Sequence, residues 1–559
     1  MAHKNLWWQD GAVYQIYPRS FFDSNGDGNG DLRGIEQKID YIKNLGVDAI
    51  WCCPCFKSPQ VDNGYDVADY RDIDPIYGTL EDWKSLVKAA HERGLKFIMD
   101  LVVNHTSDQH EWFKNARSSR ENPYHDYYIF RDAGDGKEPC NWRAVFGGSV
   151  WEYNEATDEY YLHLFSKEQP DLNWNNENVV REIHDVVRYW CRLGVDGFRL
   201  DTFNNIDKDL TFPHVEPLPG SKYGRGTRYC VNRPGVDLAI RRLRKDVLDE
   251  YGATTVAEVS CVEKEVAKRY SDPACGEFDA IYFFDGLNFD QEPENKFMPK
   301  PRDLAAFKKA LNEQQQDLFG CGWQALFIDN HDQARGVSRF GDDKRYPAES
   351  AKALANAMYF LRGTPYIFQG DEIGMTNLLF DQIEDFRDVE VRNAYREHVV
   401  EQGEDEQKWL GLFRERSRDN GRSPMQWDSG MNAGFSEGTP WMPVNKNYAA
   451  INVERQEGTP GSVLEFYKKL LAVRKQYPVV FEGRTEFIDM EDPVIFAYKR
   501  VLEGEVLLSV GNFSGEKASF ILPDGLDIGK GRIILSDTVT CLSGKMILEP
   551  YECFTAVFR

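Results

Sequence analysis

Acidic side chains recur at the ends of short apolar runs in this sequence. Asp201, Glu258 and Asp332 each follow such a run and lie far apart along the chain. Two carboxyl groups that share one site can divide into a nucleophile and a proton donor, which is the chemistry that cleaves a glycosidic bond. Arg199 lies two residues before Asp201, so on a strand both would face the same side, and the cation would favour the charged carboxylate. The alternative is that each acid only caps a neighbouring helix.

An oxygen-rich loop near the amino terminus is a second candidate site. Its oxygen donors would be Asp23, Asn25, Asp27, the carbonyl of Asn29, and Asp31. The spacing opens like a helix–loop–helix calcium site, but the twelfth position is Gly34, where that motif requires a bidentate glutamate. We therefore expect a structural Ca²⁺ or Mg²⁺ held by the loop alone, far from the acids above. A metal-free polar turn is the alternative.

Composition and charge limit the partners of the chain. Its 559 residues include 67 Lys and Arg against 91 Asp and Glu, and the net charge of −24 would repel nucleic acids and anionic membranes. The eleven cysteines show no framework spacing, which indicates free thiols in a reducing compartment. No apolar run is long enough for a signal peptide or a membrane span. We expect a cytoplasmic protein, a monomer or weak homo-oligomer, that binds a small molecule and needs no organic cofactor.

The sequence pattern of the first 370 residues repeats, and it predicts the scaffold that positions these acids. Stretches with apolar residues at helical spacing end at a glycine, and a short apolar run follows each glycine. A helix, a glycine and a buried strand in repetition indicate βα units and a parallel sheet. The predicted strands begin near Val13, Ala49, Phe97, Gly197, Thr255, Ile281, Ala325 and Tyr366. Eight units favour an α/β fold, a closed (β/α)₈ TIM barrel, over an open doubly wound sheet, with the acids at its carboxyl end.

Two regions interrupt this alternation. Residues 106–175 are rich in Trp, Tyr, Asn and Asp and carry no long helical pattern, so they predict an inserted subdomain after the third strand. From about residue 485 the apolar residues follow period two, which predicts a C-terminal antiparallel β domain, a β-sandwich over residues 485–559. The barrel is then expected to comprise residues 1–105 and 176–484, with a loop-and-helix excursion above it at about 373–435.

Four segments, in chain order, resemble the four characteristic sequence regions of the α-amylase superfamily. They are Asp100-Leu-Val-Val-Asn-His105, Gly197-Phe-Arg-Leu-Asp201, Glu258 and Phe327-Ile-Asp-Asn-His-Asp332. Other segments are similar to the oligo-1,6-glucosidase and α-glucosidase branch. These are Gly11-Ala-Val-Tyr-Gln-Ile-Tyr-Pro18, Gln169-Pro-Asp-Leu-Asn173, Ser338-Arg-Phe-Gly-Asp-Asp343 and Arg418-Asp-Asn-Gly-Arg-Ser-Pro-Met-Gln-Trp427. The resemblance covers nearly the whole chain and includes the metal loop.

The resemblance implies a role for each matching residue. Asp201 would be the nucleophile that forms a covalent β-glucosyl intermediate, and Glu258 would be the general acid/base. Asp332 would be the third carboxylate, which grips sugar hydroxyls and stabilises the distorted transition state. The implied substrate-binding residues are Asp62, Tyr65, His105, Phe165, Gln169, Arg199, Thr202, His331 and Arg422.

The implied binding residues also suggest a pocket that is closed at one end. Asp62 and Arg422 are expected to form the ion pair that closes the pocket around the non-reducing glucose. Tyr65 and Phe165 would be its stacking walls, since a pyranose has apolar faces and a polar rim. Simple core packing is the alternative for the two rings. A closed pocket implies exo-action, in which one glucose leaves at a time.

The implied activity is a retaining α-glucosidase that acts on short oligosaccharides. Thr202 follows the nucleophile where strictly α-1,6-cleaving relatives tend to carry valine, so an α-1,4, maltose-like preference is expected. The other enzymatic readings are an oligo-1,6-glucosidase, a sucrose hydrolase, a trehalose-6-phosphate hydrolase and a glucosyl-transferring relative. A phosphorylated substrate would need basic residues near the outer subsite, to which a loop with Lys222, Arg225 and Arg228 could contribute. A non-catalytic barrel scaffold is the alternative of another class.

Overall fold

Eight parallel strands form a barrel in the computed structural model, which describes residues 6–293 and 295–559. We number them β1 Val13–Ile16, β2 Ala49–Cys52, β3 Lys96–Val102, β4 Gly197–Asp201, β5 Thr254–Val259, β6 Ala280–Phe283, β7 Ala325–Leu326 and β8 Thr364–Phe368. Their order in the sheet is β6-β5-β4-β3-β2-β1-β8-β7, and a parallel bridge between Ile281 and Gln324 joins the two ends. The predicted barrel is confirmed, and each predicted strand start lies within two residues of an observed one.

Helices alternate with the strands on the outside of the barrel, and further helices lie in the inserted segment and after β8. Those of five or more residues include Leu32–Gln37, Ile39–Leu45, Leu80–Glu92, Glu111–Ala116, Glu177–Arg192, Pro234–Leu243, Lys264–Ser271, Leu304–Asp317, Gly336–Phe340, Pro347–Tyr359, Val389–Tyr395, Glu406–Arg416 and Val463–Arg474. The helix before β4 buries Val179, Ile183, Val187 and other apolar residues at helical spacing. Gly194 follows this helix with φ +99°, a left-handed conformation that glycine adopts without strain, and the chain then enters β4.

The segment between β3 and β4 carries a small antiparallel sheet. Its strands, in spatial order, are Phe130–Asp132, Glu159–Leu162 and Trp151–Asn154. Trp142 and Leu162 lie in a core of its own, and Phe212, from the loop after β4, packs into the same core. That loop therefore belongs to the same packing unit. The subdomain boundaries at residues 106 and 175 stay a prediction.

Two antiparallel sheets follow the barrel. The larger has strands Arg484–Ile488, Ile495–Leu502, Glu505–Asn512, Cys553–Phe558 and Gly531–Ser536 in spatial order, and the smaller pairs Ala518–Ile521 with Lys545–Leu548. Leu508, Phe520 and Phe554 belong to one core between the two sheets. The predicted antiparallel C-terminal domain is confirmed. Asn356, on helix Pro347–Tyr359, donates to the Ser509 hydroxyl at 2.9 Å and so links this domain to the barrel.

A loop-and-helix segment after β8 lies over the carboxyl end of the barrel. Helices Val389–Tyr395 and Glu406–Arg416 pack around a small core that includes Phe386 and Phe413. The segment is followed by a turn that carries Arg418, which reaches the residues at the strand ends. Across the described ranges, no helix has both the length and the apolarity that crossing a bilayer requires.

Candidate active site

One arginine side chain gathers three carboxyl groups at the carboxyl end of the barrel. Arg199 Nη1 lies 2.6 Å from Asp201 Oδ1 and 2.9 Å from Asp100 Oδ1, and its Nη2 contacts Glu258. Asp100, Asp201 and Glu258 come from β3, β4 and β5, which are neighbours in the sheet. Arg199 and Asp201 point to the same side because side chains two residues apart on a strand share a face. The guanidinium is fully buried, so it acts on these acids without screening by bulk water.

Burial gives two of these acids an unusual affinity for protons. It raises the pKa of Glu258 to about 8, with repulsion from Asp201 and Asp332 adding to the rise and attraction by Arg199 opposing it. Burial also raises the pKa of Asp100 to about 6 against the attraction of Arg199. A carboxyl group that keeps its proton near neutral pH can act as a general acid. Glu258 is the one of the two that borders the open pocket.

Asp332 lines the same pocket in a cationic environment. Its Oδ2 lies 3.0 Å from His331 Nε2, and its Oδ1 lies 3.2 Å from Arg418 Nη1 and 3.1 Å from Arg422 Nη2. Burial opposes the charge, but His331 and the two arginines outweigh it and hold the pKa of Asp332 well below its usual range. Asp332 is therefore a permanent anion at neutral pH, suited to accept hydrogen bonds from sugar hydroxyls.

The ion pair at the closed end of the pocket involves a different arginine from the predicted one. Asp62 Oδ1 lies 3.1 Å from Arg418 Nη2, whereas Arg422 binds Asp332 and donates through Nε to the His331 carbonyl at 2.9 Å. The prediction that Asp62 pairs with Arg422 was wrong. The reason is local packing, because the Arg418 guanidinium lies over the Phe146 ring at 4.8 Å and is directed toward Asp62.

The remaining predicted binding residues lie around the same end of the pocket. Tyr65 stacks on His331 with ring centroids 5.1 Å apart and donates its hydroxyl to Asp100 at 2.9 Å. His105 Nε2 lies 3.0 Å from the Tyr65 carbonyl oxygen and 3.1 Å from Gln169 Nε2. Gln169 also donates to Asp62 at 3.2 Å. The Phe165 ring lies 5.2 Å from that of His105, so the predicted residues form one contiguous cluster.

Thr202 occupies a strained position directly after Asp201. Its φ of +38° is left-handed, which is uncommon for a β-branched residue. Its hydroxyl donates to Asp201 Oδ2 at 3.3 Å. Such strain persists only where surrounding contacts impose it, and it is frequent at functional sites. The Thr202 side chain is held beside the acid that would attack the sugar.

A cavity of about 630 Å³ opens above these groups. Eight of the predicted site residues line it: Asp62, Tyr65, His105, Phe165, Asp201, Thr202, Glu258 and Asp332. Gln169, Arg199, His331 and Arg422 lie behind the lining and contact it, as described above, rather than bordering the space themselves. This volume is in the range of pockets that bind a small ligand such as a short oligosaccharide.

Sequence reasoning missed several groups that the structure places at the site. Asp100 and Arg418 lie inside segments that carried the family resemblance, so a signal for them was present. Phe146, in the inserted segment, lines the pocket and supports Arg418, and no local pattern marks it. Four further basic groups line the cavity: Arg225, Lys296, Arg339 and Arg416. Of these, Arg225 was noted from the sequence and the other three were not.

The oxygen-rich loop lies apart from the pocket. Asp23 accepts hydrogen bonds from the Asn25, Gly26 and Gly28 amides, and Asp31 accepts from the Gly34 amide at 2.7 Å. Hard oxygen donors of this kind suit Ca²⁺, and a carboxylate that accepts from an amide keeps further lone pairs for a cation. Within the described residues, no group of three or more His, Cys, Asp or Glu side chains is arranged to hold a metal ion. The metal site stays a prediction.

Comparisons with known proteins agree with this geometry. A family model for the α-amylase catalytic domain matches residues 15–483. An oligo-1,6-glucosidase from Parageobacillus thermoglucosidasius is 49% identical over 534 residues, which cover 96% of this chain and 95% of the relative. A trehalose-6-phosphate hydrolase from Bacillus subtilis (strain 168) is 45% identical over 551 residues, covering 98% of this chain and 97% of the relative.

Solved structures agree as well. A trehalose-6-phosphate hydrolase from Bacillus licheniformis superposes with a TM-score of 0.92 at 42% identity, covering 99% of this chain and all of that one. An isomaltulose synthase from Klebsiella sp. LX3 superposes with a TM-score of 0.95 at 37% identity, covering 100% of both chains. Because the family model and these relatives span almost the entire chain, and the barrel carries the acid cluster at its carboxyl end, this chain is a glycoside hydrolase of the α-amylase family.

Proposed function

We propose that this chain is a retaining, exo-acting α-glucosidase that removes terminal non-reducing α-D-glucosyl residues from short oligosaccharides. The observation that carries the proposal is the contact of Asp201 and Glu258 with one guanidinium. Retaining glycosidases hold their two carboxyl groups about 5–5.5 Å apart, whereas inverting enzymes separate them further to admit a water molecule. Two acids on the same planar fork favour the closer arrangement.

The proposed reaction proceeds in two displacements. In the first, the Asp201 carboxylate attacks the anomeric carbon while Glu258 gives its proton to the glycosidic oxygen, so the leaving sugar departs with a hydroxyl group. A covalent β-glucosyl ester on Asp201 results. In the second, Glu258, now ionised, takes a proton from water as the water attacks the same carbon and releases α-glucose. Asp332 would bind the hydroxyl groups of the glucosyl ring during both steps.

The closed end of the pocket supports exo-action. Asp62 and Arg418 form a buried ion pair there, and Gln169 and Phe146 fill the space around it. A chain of sugars could not extend past this pair, so only a terminal glucosyl unit fits. Arg418 and Asp62 would also bind hydroxyl groups of that unit, since charged groups form the stronger hydrogen bonds.

An α-1,4, maltose-like preference is the finer part of the proposal. It is supported by Thr202, whose branched side chain and hydroxyl lie beside Asp201 in the lining of the pocket. The relatives named oligo-1,6-glucosidases make an isomaltose-type preference the competing reading.

A second candidate is the hydrolysis of a phosphorylated disaccharide such as trehalose 6-phosphate. Four basic side chains in the pocket lining favour it, although one of them, Lys296, is paired with Glu390 in the same lining. Arg339 and Arg416 share the carboxylate of Asp290, so this trio keeps a net positive charge. Arg225 borders the pocket and donates to the carbonyl of Pro293. A relative named trehalose-6-phosphate hydrolase aligns with 98% of this chain.

Side-by-side initial rates would test both candidates. The substrates are maltose, isomaltose, sucrose, trehalose and trehalose 6-phosphate, each measured with the wild type and with Thr202→Val. We expect maltose to give the highest kcat/KM and the valine variant to shift the maltose-to-isomaltose ratio toward isomaltose. A wild-type preference for isomaltose would overturn the α-1,4 proposal, and a preference for trehalose 6-phosphate would select the second candidate.

Three further features are part of the proposal. We propose a structural Ca²⁺ or Mg²⁺ at the loop from Asp23 to Asp31, supported by its hard oxygen donors. We also propose a cytoplasmic location, supported by eleven cysteines without framework spacing. We also propose that the protein is a monomer or weak homo-oligomer.

A further inference from the structure

Gln15, on β1, lies buried beneath the histidine of the acid cluster. Its Nε2 lies 2.8 Å from His331 Nδ1 and 3.3 Å from Cys53 Sγ. Gln15 is 1% exposed and does not line the pocket. Burying an amide is costly unless it is hydrogen-bonded, and this one uses its nitrogen on two partners. The Gln15 amide therefore faces the side of the His331 ring that points away from the pocket.

The His331 ring also has contacts on both of its faces and at Nε2. Tyr65 covers one face at 5.1 Å and Tyr17 stacks at 6.2 Å. The ring's Nε2 lies 3.0 Å from Asp332 Oδ2. Within the described chain, the polar contacts of Nδ1 are with Gln15 and, at 3.8 Å, Cys53 Sγ. These two partners influence whether Nδ1 carries a proton.

The amide of Gln15 can serve either state of the ring. Its Nε2 donates to a bare Nδ1, while its Oε1 would accept from a protonated Nδ1 after a half-turn of the amide. The Cys53 thiol can follow, since its sulfur accepts weakly from Nε2 and its S–H donates weakly to Oε1. Burial alone would lower the pKa of His331, but Asp332 and Cys53 raise it to about 10. A raised pKa favours the charged ring, which needs an acceptor at Nδ1, whereas the amide orientation in the structure, with Nε2 on Nδ1, serves the uncharged ring.

Other charged or titratable groups also face this ring. They are Asp332, Cys53, Asp100, Glu258, Tyr17 and Tyr65. Arg422 contacts the backbone carbonyl of the same residue. Of these, Asp332 attracts the ring's charge from the pocket side, but none except Cys53 contacts Nδ1. A change at Gln15 therefore alters one side of the ring and leaves the pocket side intact.

We propose that Gln15 is a positioning residue of this site: by turning its amide, it pairs with His331 in both charge states and so keeps the Asp332 carboxylate aligned for the sugar. This inference rests on the proposed function, because the alignment matters only if Asp332 binds a glucosyl ring. A glutamine that served only to fill space in the barrel would not depend on its hydrogen-bonding atoms.

Two variants of similar size separate these possibilities. Gln15→Met keeps the volume and offers Nδ1 only the weak acceptor of a thioether sulfur, while Gln15→Glu keeps a strong acceptor and cannot donate when ionised. Loss of an acceptor disfavours the charged ring, so the pKa of His331 should fall in the methionine variant and rise in the glutamate variant. At neutral pH we expect kcat/KM on 4-nitrophenyl α-glucoside to fall about ten-fold in Gln15→Met and to recover to within about three-fold of wild type in Gln15→Glu.

Gln324→Met is the matched control. Gln324 is 3% exposed, lies just before β7 at the opposite end of the barrel, and donates to the Arg362 carbonyl at 3.4 Å. We expect this variant to lower Tm about as much as Gln15→Met does and to leave kcat/KM unchanged. Comparable Tm values with different rates would separate positioning from folding.

Ring-nitrogen chemical shifts of ¹⁵N-labelled histidine supply the readout that does not depend on activity. The His331 signals, identified by their loss in His331→Asn, should titrate at a lower pH in Gln15→Met than in wild type and at a higher pH in Gln15→Glu. Identical titrations, a Gln15→Met rate within two-fold of wild type, or no recovery in Gln15→Glu would each overturn the proposal. If the wild type cleaves no α-glucoside, the proposed function fails, and the titrations still decide whether Gln15 sets the proton state of His331.

Discussion

Replacing Asp201 by alanine separates a catalytic from a structural role for this acid. Three carboxyl groups share the Arg199 guanidinium, so the cation stays paired with the Asp100 carboxylate and in contact with Glu258 when the third is removed. Because no buried charge is left without a partner, the cost of a broken buried ion pair, about 3–5 kcal/mol, does not apply. We expect Asp201→Ala to change the free energy of unfolding by less than about 2 kcal/mol and to keep the fold.

The rate should change far more than the stability. Without the carboxylate, the covalent intermediate cannot form, and we expect kcat to fall by about 10⁴-fold or more, which corresponds to at least about 5 kcal/mol in the barrier. The measurement is the initial rate on 4-nitrophenyl α-glucoside, with circular dichroism melting of the same preparation. A variant that keeps more than about a tenth of the wild-type rate would refute a nucleophilic role.

Azide adds a stereochemical test of the same assignment. In Asp201→Ala, azide can take the place of the missing carboxylate and attack the anomeric carbon once, so the product should be β-glucosyl azide. In Glu258→Ala the nucleophile is intact, and azide should attack the covalent intermediate to give α-glucosyl azide. The same anomer from both variants would contradict the division of roles between the two acids.

Other predictions concern pH, the closed end of the pocket and the metal loop. Glu258 must be protonated to act first, and burial raises its pKa to about 8, so kcat/KM should fall as the pH rises above about 8, a limb that Glu258→Gln should lack. Arg418→Lys should lower kcat/KM on maltose about ten-fold or more, chiefly by raising KM, because lysine cannot hold Asp62 and Asp332 with one planar fork; an unchanged KM would argue against this pocket end. EDTA should lower Tm and added Ca²⁺ should restore it, with a smaller response in Asp27→Ala. A Tm that EDTA does not change would exclude a bound metal.

Much of the barrel could be predicted because its pattern is local. Apolar residues at helical spacing, a glycine and a short apolar run describe one βα unit, and each unit depends on residues close together in sequence. Such patterns placed the strands to within two residues. The location of the acids could be predicted as well, since the carboxyl ends of parallel strands meet at one edge of the barrel.

The ion pair at the pocket end shows where sequence reasoning stops. Arg418 and Arg422 lie four residues apart in one segment, and nothing in that segment tells which of them reaches Asp62. The choice depends on Phe146, from the inserted segment, and on Asp388, which binds Arg418 at 2.6 Å. Both partners are remote in sequence from the arginines they position.

The sequence by itself determined the barrel, the antiparallel C-terminal domain, the family and the identity of the acids, because these depend on short-range periodicity and on recognisable segments. Only the tertiary structure decided that Arg199 joins three acids, that Arg418 closes the pocket, and that Gln15 lies against His331, 316 residues away. Closing the barrel brings its strands side by side, and side-chain contacts across it depend on that closure rather than on any local pattern.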